Sequence, residues 1–186
     1  MPKIVDHESY RREILDKCFD LFSSRGYSNI TMKEIAAEAG VSTGTLYHYF
    51  PTKENILGQL ISRAGETNTA EYVKRSNAAE NSMERFRLMA DFWKEKGDFY
   101  RKLMMLSFDM KRTAPAEEYE KVFSRFSDLY TVTMAERLNV SEEYARSIFI
   151  YLMGLVLHSL LTPGSINYSK EIDRFSEEIE PYIGKD

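Results

Sequence analysis

The sequence predicts an all-α protein, and three observations carry that prediction. Apolar residues recur at three- and four-residue spacings over long stretches. Glycine and proline are scarce, nine and five in 186 residues, and fall where one periodic stretch gives way to the next. No stretch reads convincingly as a strand. Hydrophobic residues make up 43% and charged residues 29%, enough apolar matter for a packed core and too much for wholesale disorder.

The first helix is expected over 8–25, where Ile14, Leu15, Cys18, Leu21 and Phe22 share helical spacing and Gly26 tolerates the positive φ that ends a helix. Thr31-Met-Lys-Glu34 has the spacing of a capping box. The threonine oxygen accepts from a backbone N–H three residues on, and the glutamate reaches back. A second helix opens there, runs to Ala39 and stops at Gly40. Ser42 caps a short third helix. Pro51 ends it, because the residue before a proline is pushed away from helical angles. Thr52 caps a fourth helix over about 52–78, with Glu54 near its positive end. Five further helices cover about 80–96, 98–112, 115–138, 141–161 and 169–183. Gly97-Asp98, Thr113-Ala114-Pro115, the left-hand-tolerant Asn139 and Pro163-Gly164 separate them. No internal repeat or low-complexity tract interrupts the pattern.

Composition narrows the function classes. The single Cys18 excludes an intrachain disulfide framework and a cysteine zinc cluster, and its apolar position suits a buried, inert thiol. The opening residues MPKIVDHESYRRE lack the apolar stretch of a signal peptide. The most apolar run, Ile148–Leu157, is ten residues, short of a bilayer span. A soluble cytoplasmic protein is the expectation. Net charge is -4, and residues 1–54 hold seven Lys and Arg against eight Asp and Glu, so bulk charge does not advertise nucleic acid.

Local placement does. Residues 30–50, ITMKEIAAEAGVSTGTLYHYF, combine a short helix, a glycine turn and a second short helix, the elements of a helix-turn-helix. Ala36, Ala37 and Ala39 let the two helices approach, and Ile35, Val41 and Leu46 suit the corner between them. Thr43, Gly44, Thr45, Tyr47 and His48 remain for the exposed side of the third helix. Such a face fits a DNA major groove, where hydroxyls reach base edges or phosphates and Gly44 permits close backbone approach. Residues 39–53 contain no acid, and neither do 25–33. A helical hairpin packed in a core would use the same pattern, but ordinary solvated faces prefer Lys and Glu to Tyr and His.

The block T-x-x-E-I-A-x-x-A-G-V-S-x-G-T-L-Y-x-Y-F-x-x-K-E, Thr31 to Glu54, resembles the N-terminal domain of TetR-type transcriptional regulators (the TetR/AcrR family). The resemblance covers about 45 residues from the first helix onward and is specific. It implies an N-terminal three-helix helix-turn-helix domain over 1–51 and a larger helical ligand-binding and dimerisation domain over 52–186, about nine helices in all. It places Thr31, Lys33 and Lys53 near phosphate, and Ser42, Thr43, Gly44 and Thr45 at the groove. Tyr47 and His48 fall on bases or backbone, and Tyr49 is left open between the core and a phosphate. The departure is the small basic charge, which suggests modest non-specific affinity.

The helix beginning near Ser141 is apolar on nearly every face and must be covered on both sides. A dimer interface including Phe149, Met153, Gly154, Val156, Leu157 and Leu160 is expected, in line with the resemblance; a central helix of a monomeric bundle is the alternative. The large aromatic and methionine set between the fourth and eighth helices is core first. Met89, Trp93, Tyr100 and Met104 are the candidates to line a small-molecule cavity, with Phe108, Phe123, Phe126 and Tyr130. Tyr100, Tyr130 and His158 are possible polar handles, although His158 suits a core or interface position better. The expected function is a ligand-responsive repressor that binds a palindromic operator as a homodimer and is released by an apolar or aromatic inducer. No cofactor, metal or membrane is implied. A helical enzyme has thin support, with three histidines, no His-Glu metal spacing and no phosphate loop. A protein-binding helical adaptor is the other rival.

Overall fold

The structure, a computed structural model, describes residues 7–183. Residues 1–6 of the expected first domain and 184–186 of the second lie outside the described residues. The helices are α1 (His7–Arg25), α2 (Met32–Ala39), α3 (Thr43–Tyr49), α4 (Lys53–Ser76), α5 (Ser82–Glu95), α6 (Gly97–Thr113), α7 (Ala116–Leu138), α8 (Glu142–Leu161) and α9 (Tyr168–Ile179). Short 3₁₀ turns at Tyr27–Asn29 and Glu180–Tyr182 complete the list, and no strand occurs among the described residues.

The boundaries follow local chemistry. Thr31 and Glu34 form both halves of the capping box. Gly40, at φ 73°, donates its N–H to the Ala36 and Ala37 carbonyls, which lets the chain leave α2 without stranding them. Ser42 and Ser141 cap α3 and α8 through their side-chain oxygens, each such cap contributing roughly 1 kcal/mol. Asn139 takes the left-handed conformation at φ 53° that its position suggested. The break between α5 and α6 falls within a residue of where the sequence placed it: Lys96 caps α5 and Gly97 opens α6.

The chain forms two compact units, drawn differently from a boundary at 51/52. The first comprises Met1–Ala64 with Met105–Ser124, and the second Gly65–Met104 with Arg125–Asp186. In the first, α1 packs on α2 and α2 on α3 around Ile14, Cys18, Phe22, Ile35, Leu46 and Phe50. Cys18 is fully buried, and burial pushes its thiol up to about 11, so it stays protonated and inert.

The core of the second unit is aromatic. Trp93 stacks on Tyr100 at 3.8 Å, while Phe126, Tyr130 and Phe149 meet at 4.7–6.2 Å between ring centres. Gly65 lies against Phe126 so closely that an added Cβ would stand 2.8 Å from the ring.

α8 runs over the span expected of it, although its most apolar run is only ten residues. At twenty residues it is long and apolar enough, by length and composition alone, to cross a membrane. Its apolar residues divide between two faces. Ala145, Ile148, Phe149, Leu152 and Val156 are buried within the protomer. Ile150 is 63% and Leu161 71% exposed, Gly154 is exposed, and Met153, Leu157 and Leu160 are half-buried. This corrects the expected dimer set at two positions. Phe149 and Val156 face the protomer's own core, Phe149 touching Trp93 and Tyr130. Ile150 and Leu161 occupy the open face in their place.

Gly65→Ala tests the aromatic core. Helix propensity favours Ala by about 1 kcal/mol. The Phe126 ring is buried against Tyr130 and Phe149, so it can shift only by disturbing them. A net loss of about 1–3 kcal/mol in urea unfolding is expected.

Candidate nucleic-acid interface and ligand cavity

Leu46 and Tyr49 anchor α3 to the first unit, leaving its opposite side to solvent. Ser42, Thr43, Gly44, Tyr47 and His48 are exposed there, and Thr45 is half-buried. Ser42 Oγ accepts the Thr45 N–H at 3.0 Å and shares a second bond with Thr45 Oγ1 at 2.8 Å. Those two hydroxyls therefore set the start of the helix. Among the described residues, the Thr43 and Tyr47 hydroxyls have no protein partner, and Tyr47 is half exposed. A Cβ on Gly44 would meet only Ser42 Oγ, at 3.8 Å, so nothing inside the protein requires glycine there.

The other predicted phosphate residues divide. Lys33 is exposed in the first turn of α2. The Thr31 hydroxyl is committed to Glu34, at 2.8 Å. Together with the Thr31 N–H and Arg25, it holds the Glu34 carboxyl at about 2, well below the usual range. Glu34 is thus charged but neutralised by Arg25 at 2.7 Å.

Lys53 turns toward the protein. Its ammonium donates to the Tyr27 carbonyl at 2.7 Å and the Ile30 carbonyl at 2.8 Å, 4.1 Å from the centre of the Tyr27 ring. Tyr27 also donates its phenol to Glu54 and its N–H to Asp109 Oδ2 at 3.1 Å. Arg112 holds Asp109 at 2.9 Å. The turn that delivers α2 and α3 is therefore gripped by the first turn of α4 and the end of α6. Tyr49, left open by sequence, is buried, with its hydroxyl 2.8 Å from His7 Nδ1 and its carbonyl accepting from Arg11.

The second unit holds a small cavity of about 10 Å³, close to the least volume that admits one water molecule. Met89, Trp93, Tyr100 and Tyr130 line it, with Phe92 and Met134 of the same aromatic and methionine set, and so do Asn68, Thr69, Tyr72 and Thr133, which sequence reading did not single out. Asn68 is its hub. Buried in α4, it accepts from the Tyr100 hydroxyl at 2.9 Å and the Tyr130 hydroxyl at 2.8 Å. Burial pushes both phenols well above their ordinary range, so they remain donors. The Thr69 hydroxyl is buried without a partner.

Four expected ligand residues do not line this cavity. Met104 is buried beside it in sequence but not in its wall, and Phe126 fills space against Gly65 instead. Phe108 and Phe123 belong to the first unit and are 47% and 41% exposed. The buried stripe of α6 runs through Tyr100, Leu103, Leu106 and Met110, and Phe108 falls off it. His158 is also exposed, with Nδ1 2.8 Å from Thr162 Oγ1, away from the cavity.

Residues 14–60 match the model described as bacterial regulatory proteins, tetR family. The chain is 40% identical to the transcriptional regulator PksA of Bacillus subtilis over 57 residues, 31% of this chain and 28% of that protein. It is 26% identical over 178 residues to the transcriptional regulator HbdR of Aromatoleum sp., covering 94% of this chain and 76% of that one. The fold also resembles that of the transcriptional regulator FadR from Bacillus subtilis, solved in complex with stearoyl-CoA. That likeness has a TM-score of 0.66 at 17% identity, over 90% of this chain and 96% of the other.

Gly44→Ala separates folding from recognition. With open space around it, the added methyl should stabilise α3 by about 0.5–1 kcal/mol in a thermal melt. If the exposed side of α3 enters a groove, specific DNA binding should weaken by about tenfold or more, because the methyl would stand in the way of a groove wall.

Proposed function

We propose that this chain, whose residues 14–60 match the tetR family of bacterial regulatory proteins, is a DNA-binding transcriptional regulator that represses its targets by binding a palindromic operator as a homodimer. The outer face of α3 carries this reading. Thr43, Gly44, Tyr47 and His48 stand exposed on one short helix inside a fifteen-residue stretch, 39–53, that holds no acid. In a major groove, Thr43 and Tyr47 meet base edges, thymine methyls or phosphate, and Gly44 lets the backbone come close. Lys33 meets phosphate. Thr31, Ser42 and Thr45 hold the helix starts, and Lys53 holds the turn that aims them.

The uncovered face of α8, with Ile150, Met153, Gly154, Leu157 and Leu161, packs on a second copy, together with α9. Pairing brings two reading heads to half-sites about 34 Å apart, or a multiple of that. The cavity in the second unit receives a small, largely apolar or aromatic effector that releases the operator. α4 supplies Lys53 and Glu54 to the first unit and Asn68 and Tyr72 to the second. An effector that favours one arrangement of α4 shifts the population, and ~1–3 kcal/mol of coupling changes operator affinity about 5–150-fold. The work is done in the cytoplasm, on DNA, with no catalytic step.

A gel shift with the DNA upstream of the chain's own gene tests the reading. One shifted palindrome is expected, and Tyr47→Ala should weaken it by about 1–3 kcal/mol, roughly 5–150-fold. Binding with no preference among sequences would sink the regulator reading. Ile150→Glu should leave the protomer folded, since the side chain is exposed, and convert the dimer to a monomer in sedimentation velocity. A variant that still sediments as a dimer places the interface elsewhere.

A further inference from the structure

Two phenol donors, Tyr100 and Tyr130, converge on a single acceptor at the cavity, the Asn68 carbonyl. A third hydroxyl, on Thr69, is buried there without a partner. The walls hold no Lys, Arg, His, Asp or Glu. The site therefore carries no charge, and its polar atoms are hydroxyls and one amide, with two phenol O–H groups already aimed at a single carbonyl oxygen. Resting on the effector-site reading above, we infer that the effector is an uncharged molecule with a carbonyl-type oxygen on an apolar or aromatic body. That oxygen takes the Tyr100 and Tyr130 hydroxyls from Asn68.

The alternatives are disfavoured by the same atoms. A cation would find ring faces but no carboxylate to balance it, and would leave the two phenol O–H groups on Asn68. An anion would leave water for walls that offer no counter-charge. A neutral carbonyl oxygen has two lone pairs, matching the two phenols. Room for the apolar body comes from the wall itself. Trp93 must lift from Tyr100, and the pliable Met89 and Met134 give way. The exchange has a mechanical result, because Asn68 lies on α4, Tyr100 on α6 and Tyr130 on α7. Transfer of the phenols to the ligand unties α4 from both neighbours.

Trp93 is the chain's one tryptophan and stands in the cavity wall, so its emission reports on occupancy. Three probes share one ultraviolet-transparent body: cyclohexyl methyl ketone, cyclohexanecarboxylate and cyclohexyltrimethylammonium. The ketone should change the emission saturably, and the two ions should not at equal concentration. In Tyr100→Phe/Tyr130→Phe, which keeps the rings, ketone affinity should fall by about tenfold or more. In Asn68→Leu, which removes the competing acceptor, ketone affinity should rise, an outcome that mere damage to the fold would not produce. A carboxylate or ammonium that binds as well as the ketone overturns the ligand class and leaves the effector cavity standing. A ketone response unchanged in both variants overturns the exchange of hydrogen bonds. No response to any probe removes both the class and the cavity reading.

Discussion

The reading head depends on one lysine. The turn between α1 and α2 leaves carbonyls that no helix satisfies, and Lys53 takes two of them, at Tyr27 and Ile30. A hydrogen bond from a charged donor contributes about 1.5–3 kcal/mol when its acceptor would otherwise be stranded. Two such bonds, with the Tyr27 ring beneath the ammonium, fix where α2 begins and hence where α3 points. Asp109 completes the grip by accepting the Tyr27 N–H from the α6 side. The cost is a cation turned inward in a segment, residues 1–54, that holds seven Lys and Arg against eight Asp and Glu. Arg25 is similarly engaged with Glu34. In the proposed complex, recognition would then fall to shape and hydroxyl contacts more than to charge.

The second unit applies the same logic in its core. A buried asparagine costs stability unless its polar atoms are matched, and Asn68 is matched by two tyrosines on different helices. An apolar residue at that place would pack as well but would not specify which rotamers the two rings adopt. The triad orients Tyr100, and Tyr100 in turn carries the Trp93 stack. Polar matching therefore sets the aromatic geometry, and an effector that alters the matching alters the packing.

Much of this was legible from residues 8–54, because local chemistry decides structure there. The capping box, the Gly40 stop and the Ser42 cap each need only their near neighbours. The exposed side of α3 could be read for the same reason, Leu46 and Tyr49 being the apolar pair that turns it. The conversion of Lys53 from surface cation to internal clamp could not, because its partners lie more than twenty residues away. Asn68 was missed although a signal existed. Leu57, Ile61, Gly65, Asn68 and Tyr72 recur at four, four, three and four residues and are all buried, which marks Asn68 as an inward polar residue.

α8 was legible in kind and ambiguous in orientation. A helix apolar all round carries no polar stripe to say which face belongs to the protomer, so Phe149 and Ile150 are interchangeable by composition. Tertiary packing decides between them by offering Phe149 an aromatic socket of Trp93, Phe126 and Tyr130. Ile150 is then left largely exposed on the protomer. This connects the two ends of the proposed mechanism. A seven-residue helix with few cations around it binds one half-site weakly, and the remedy available without adding charge is to present it twice. In the proposed assembly, the apolar face that the protomer leaves uncovered on α8 would make that pairing favourable, and weak charge at α3 and exposed Ile150 and Leu161 become two sides of one arrangement.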